Sequence, residues 1–244
     1  GKKILSAENL SMQNIVKNNS FSVYAGQVTG IFGLIGSGRT ETAKIISGVV
    51  KRDFFHGGEV YLEGKPIRYR IPGQAIRDGI AYVTEDRKVE GFFETMSIGE
   101  NLYMGELAAN GKVGGILSGK IRKEIAAQWI KALNVKALSD EARVVELSGG
   151  NQQKVVIAKS LAQHPKLVIF DEPTRGVDVG AIQEIHELLN SLADEGLAVV
   201  VISSYLPEIL NLSDRILVAR QGKIVEEFSS EEASEEKIMY AAVH

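Results

Sequence analysis

No cysteine occurs among the 244 residues, which excludes a disulfide scaffold and any thiolate nucleophile or metal ligand. No apolar run approaches the roughly 18 residues that span a bilayer; the longest, 197–202, reads as a buried strand. No secretory core follows Gly1-Lys2-Lys3, so export is not expected. The opening Gly, in place of Met, is what a piece cut from a longer chain would show. Neither charge dominates. Lys and Arg number 28 against 31 Asp and Glu, a net charge of −3, which supplies no field for nucleic acid or anionic lipid. With 44% hydrophobic and 24% charged residues, wholesale disorder is also excluded.

What is present is an alternation of short apolar runs and helical stretches, the pattern of an α/β domain with a largely parallel sheet. Strands are predicted at 4–10, 21–23, 28–32, 80–83, 167–170, 197–202, 216–219 and 223–227. A small hairpin is predicted at 59–67, turning at Glu63-Gly64-Lys65. The early strands suggest an antiparallel subdomain on one flank. Helices are predicted at 40–47, 148–162, 179–192 and 206–210. From 98 to about 138 strand signals vanish, and Ile121, Ile125, Trp129 and Leu133 recur at helical spacing. Residues 87–160 therefore read as a helical subdomain inserted into the core, between 1–86 and 161–244. Glycines 105, 111, 114 and 115 suggest a loop inside it. The acidic stretch 229–236 reads as a solvated tail or surface helix.

Three motifs carry chemistry. Gly33-Leu34-Ile35-Gly36-Ser37-Gly38-Arg39-Thr40 joins a strand to a helix. Glycines turn backbone N–H groups inward, and the helix N-terminus adds a positive dipole, as phosphate binding requires. Thr40 offers a hydroxyl to Mg²⁺. The spacing fits a phosphate loop except that Arg39 stands in the lysine position. Taken alone, the loop is equally a structural strand–helix turn. Next, Leu167-Val168-Ile169-Phe170-Asp171-Glu172 delivers two carboxylates to the end of an apolar strand, where α/β sheets place ligands. Asp171 can hold Mg²⁺ through water, and Glu172 can polarise an attacking water. Third, Leu147-Ser148-Gly149-Gly150-Asn151-Gln152-Gln153-Lys154 starts a helix with a capping serine and two glycines that allow close approach of a phosphate.

With these three strings in this order, the sequence resembles an ATP-binding cassette, the nucleotide-binding domain of ABC transporters, over nearly its whole length. The string Leu147 to Gln153 is the most specific part. The resemblance implies a P-loop NTPase with a RecA-like core, an antiparallel β subdomain and an inserted helical subdomain. It implies ATP and Mg²⁺ as cofactors and head-to-tail pairing with a second cassette, ATP lying between one phosphate loop and the other signature. It further implies membrane permease domains docked near 86–105, at the cytoplasmic face of the membrane, and no nucleic acid. Carried over by position, the phosphate-binding residues are Gly33 to Gly38 with Arg39, Thr40 and Glu41, and the signature residues Leu147, Ser148, Gly149, Gly150 and Gln152. Asp171 and Thr40 fall at the metal, and Glu172 at the catalytic carboxylate.

Several positions depart from the family pattern. Glu85 stands at the Q-loop glutamine, Ser204 at the switch histidine, and Glu41 where Ser or Thr is usual. No aromatic stands between Leu10 and Val16 to stack on adenine; Met12 is the nearest apolar candidate. The D-loop is Gly176-Val177-Asp178. Arg39 with Glu85 and Ser204 implies a weakened phosphate-loop half beside an intact signature half. That combination is similar to the C-terminal cassette of tandem ATPases in ribose/galactose/xylose-type importers. The open alternatives are a self-sufficient homodimeric ATPase and a non-transport member of the family. Trp129 is expected in the helical core, the four histidines at the surface or in loops, and Arg87 and Lys88 on a coupling surface or a solvated face.

Overall fold

The computed structural model describes residues 1–110, 119–137 and 139–244. Its main sheet holds six strands in the order β10-β9-β3-β8-β7-β6. These are β3 (Gln27–Gly33), β6 (Ile80–Val83), β7 (Leu167–Asp171), β8 (Ala198–Ser203), β9 (Arg215–Arg220) and β10 (Lys223–Ser229). All pair in parallel except the β9–β10 hairpin. The apolar runs are continuous because both faces of the sheet are covered. Strand alternation sorts them. Val168, Phe170, Val199 and Val201 enter one core with α5 (Gly149–Leu161) and α6 (Val179–Asp194). Leu167, Ile169, Val200 and Ile202 enter the other, with α1 (Arg39–Ile46).

That second core is closed by an antiparallel sheet in the order β2-β1-β4-β5, formed by β1 (Lys3–Met12), β2 (Val16–Tyr24), β4 (Glu59–Leu62) and β5 (Lys65–Ile67). Between β6 and β7 come α3 (Ile98–Asn110), α4 (Gly119–Ala132) and α5. Ile98, Leu102, Ala126 and Ile157 are buried there, and Trp129 packs half-buried against them. Gly105 lies within α3, not in a loop, and its position is set by packing: a Cβ there would meet the Lys159 backbone oxygen at 2.0 Å. Glycines 111, 114 and 115 lie outside the described residues.

Two helices escape the sequence reading. In α2 (Pro72–Asp78), Pro72 starts the first turn and Gly79, at φ 92°, ends it. In α8 (Glu235–Val243), the Ser234 hydroxyl accepts from the Lys237 N–H, and Ile238 is fully buried. The acidic stretch thus leads into a docked helix. A short π-helical turn, Arg87–Gly91, also follows β6.

Candidate functional site

The C-terminal ends of β3, β7 and β8 converge on one cleft of about 790 Å³. Its rim brings together Ile35 to Glu41, Glu85, Glu172 and Ser204. The loop from Gly33 to Gly38 needs its glycines. Gly36 and Gly38 hold φ of 81° and 84°, the left-handed region that costs other residues about 1 kcal/mol or more. Gly38 is also the N-terminal cap of α1. Ile35, at the loop tip, is 96% exposed.

Arg39 does not reach outward into this cradle. One guanidinium nitrogen donates to the carbonyls of Gly33 and Leu34, the latter at 2.9 Å. The other lies 3.0 Å from Glu172 Oε1, with both side chains about one-tenth exposed. The same Glu172 oxygen accepts from the Ser204 N–H at 2.8 Å. Glu172 holds a left-handed φ of 50°, a strained conformation of the kind that gathers at functional sites. The carboxylate that would polarise water is therefore already paired.

Asp171 is fully buried. It accepts from Thr40 Oγ1 at 3.3 Å and from the Tyr82 hydroxyl at 2.9 Å. Burial pushes its carboxyl up, and those two hydrogen bonds oppose the push. Thr40 and Asp171 form a hydroxyl–carboxylate pair suited to a divalent cation completed by phosphate oxygens and water. Tyr82 was not foreseen; its signal is register, since it sits beside Ile169 on the neighbouring strand. Glu85 does not stand free at the metal position but is ion-paired with Arg175. Met12 is buried in the core and presents no stacking surface.

The signature lies elsewhere; none of Leu147 to Gln152 lines the cleft. Ser148 caps α5, accepting from the Asn151 N–H. Gly149 and Gly150 give room to protein. A Cβ on Gly149 would meet the Gly176 oxygen at 2.7 Å, and one on Gly150 the Ala181 Cβ at 2.4 Å. Gln152 is buried and donates to the Leu147 carbonyl at 3.0 Å, holding the motif's first residue.

A model of the ABC transporter family matches residues 16–175. The chain belongs to the ABC transporter family. Among curated ABC relatives, the ribose import ATP-binding protein RbsA of Caldanaerobacter subterraneus subsp. tengcongensis is 45% identical over all of this chain and 48% of its own. The xylose import ATP-binding protein XylG of Thermoanaerobacter pseudethanolicus is 48% identical over 94% of this chain and 45% of its own. The chain spans about half the length of the curated relatives it matches. Among solved structures, a nucleotide-free ATP-binding cassette from an ABC transporter is 26% identical, with a TM-score of 0.83 over 99% of both chains. The ADP conformation of MJ1267, another ABC transporter cassette, is 27% identical with a TM-score of 0.82, covering 100% of this chain and 99% of its own. The fold is that of a P-loop NTPase cassette with an antiparallel β subdomain.

Two groups of this ABC cassette depart from the sequence reading. Arg87 does not lie on a solvated face. It donates to the carbonyls of Arg175 at 2.7 Å and Gly176 at 2.9 Å, and approaches Gln152 Oε1 at 3.5 Å, tying the D-loop to the signature helix. His186 is not a surface residue. Its side chain is 15% exposed, and Nε2 lies 3.0 Å from Glu208. Both are long-range contacts that no local pattern marks. Among the described residues, no helix is long and apolar enough to cross a membrane.

Proposed function

We propose that this cassette is one half of a two-cassette ATPase that powers import of a small sugar. In this reading it binds ATP with Mg²⁺ and serves hydrolysis chiefly by lending Leu147 to Gln152 to the phosphate loop of its partner half. The observation that carries the reading is the Arg39–Glu172 pair. Phosphoryl transfer needs a cation on the terminal phosphate and a free carboxylate near water. Here each neutralises the other, and the guanidinium also occupies two loop carbonyls. Ser204 brings no imidazole to the γ-phosphate, and Glu85 is held by Arg175. The signature, in contrast, is capped and braced. Its placement away from the cleft suits completion of a site on another cassette.

Further support comes from relatives named for ribose and xylose import, of which this chain spans half. The partner half would be the N-terminal cassette of the same chain, paired head to tail. Permease domains at the cytoplasmic face of the membrane would receive the work, and nucleic acid has no part. Within this half, Thr40 and Asp171 would hold Mg²⁺, while Gly33 to Gly38 and Glu41 would line the phosphates.

Mg-ATP turnover by the complete two-cassette chain tests the reading. Glu172→Gln should leave turnover within about twofold, whereas Ser148→Arg should lower it ~10²-fold by blocking the donated signature. The 244-residue chain alone should stay near background at every concentration. A steep rise with its own concentration, abolished by Glu172→Gln, would instead establish a self-sufficient homodimer.

A further inference from the structure

A second cleft, of about 320 Å³, lies away from the nucleotide site, between the C-terminal end of α1 and the β4–β5 hairpin. Lys51, Arg52, Arg68 and Arg70 line it, and no carboxylate does. Its apolar wall is Ile45, Ile46, Val50, Val60 and Ile67. Arg52 is 8% exposed, yet among the described residues its Nε and Nη1 have no hydrogen-bond partner; Nη2 reaches an acid, Glu59, at 3.3 Å. Buried guanidinium donors left unmade carry a desolvation penalty, which an acceptor entering the cleft relieves once the side chain turns towards it. Arg68 is held in place by the Asp53 carbonyl at 2.9 Å and by stacking over Phe54 at 5.5 Å.

We infer that this cleft binds a small molecule carrying a phosphate on an apolar body. The positive surplus favours phosphate: four cations line the cleft and Glu59 pairs with one of them, so a dianion offsets more of the remaining charge than a monoanion does. Arginines suit phosphate oxygens because their planar donors pair with them in forked geometry. The aliphatic wall supplies the burial that inorganic phosphate cannot use.

The chain, labelled at isoleucine δ-methyls, is titrated with phenyl phosphate and followed by NMR. Ile45, Ile46 and Ile67 report this cleft; Ile35 and Ile182 report the nucleotide cleft. Saturable shifts are expected at the first three, and a dissociation constant raised about tenfold in Arg52→Met, equivalent to about 1.4 kcal/mol. Arg70→Met, at an exposed position that leaves the core untouched, should weaken binding in the same direction. Inorganic phosphate and phenylacetate should both bind more weakly than phenyl phosphate. The inference is overturned if shifts are confined to Ile35 and Ile182, if millimolar probe moves no methyl saturably, or if both variants bind as the parent does. Phenylacetate binding as tightly as phenyl phosphate would overturn the phosphate assignment.

Discussion

The two glycine-rich segments of this cassette use glycine for opposite reasons. At the phosphate loop the backbone is unusual and the space is open: Gly36 has φ of 81°, and a Cβ there would touch nothing within 4 Å among the described residues. At the signature the backbone is helical and the space is closed, with Gly149 and Gly150 pressed against the D-loop and α6. Their electrostatics also differ. The phosphate loop is turned inward on Arg39, Gly33, Leu34 and Glu172, while the signature is fastened from behind by Arg87 and Gln152. A glycine-rich string therefore does not by itself say whether its glycines face a ligand. One segment is open at its tip and has its own arginine bonded to two of its carbonyls; the other is shaped by its neighbours, with Ser148 exposed.

The sharpest way to break this comparison is to add one methyl group to each segment. Gly150→Ala gains helix propensity, yet its Cβ would sit 2.4 Å from Ala181 Cβ, so α5 and α6 must separate. Overpacking of this kind costs about 1–3 kcal/mol. Gly36→Ala meets no atom and carries only the left-handed strain of about 1 kcal/mol. Urea midpoints of the two variants measure the difference. Equal losses would mean that the signature glycines are not there for packing.

A smaller effect sharpens the electrostatic half of the contrast. Arg39→Lys replaces a fork with a point charge that cannot bridge Gly33, Leu34 and Glu172 together. Both the cradle and the carboxylate are released. Mg-ATP affinity of the 244-residue chain should rise about tenfold, or ~1.4 kcal/mol. Unchanged affinity in a nucleotide titration would show that Arg39 does not obstruct the loop.

The strands of the main sheet were legible because their apolar runs are long relative to their length, and β3, β7 and β8 fell within a residue or so of their expected bounds. The order of the three motifs was enough to place the family. What stayed hidden depends on sequence separation. Arg39 and Glu172 lie 133 positions apart, and Arg87 and Gly176 lie 89 apart, so no local pattern announces either contact. Helix α2 was missed for another reason. It is only seven residues long and buries a single one, Ala75, so its apolar period is too faint to register, although Pro72 and Gly79 mark its ends.

The His186–Glu208 pair shows how such a contact sets a pH response. Glu208 is 1% exposed in its side chain and accepts from Thr174 Oγ1 at 2.7 Å besides facing His186. Burial pushes its carboxyl up, but hydrogen bonds from His186, Ser203 and Thr174 together hold it below its ordinary value of 4.5. A depressed carboxylate contributes stability that is complete above its unfolded value and is lost as pH falls through the folded one. The cassette should therefore lose stability below about pH 4.5 in part through Glu208. Glu208→Gln should be less stable at neutral pH, where the charged acceptor is gone. Its urea midpoint should also fall less steeply on acidification than the parent's. Parallel acid profiles for parent and variant would assign the acid loss to other carboxylates. A variant profile steeper than the parent's would mean that burial, not the hydrogen bonds, governs the group.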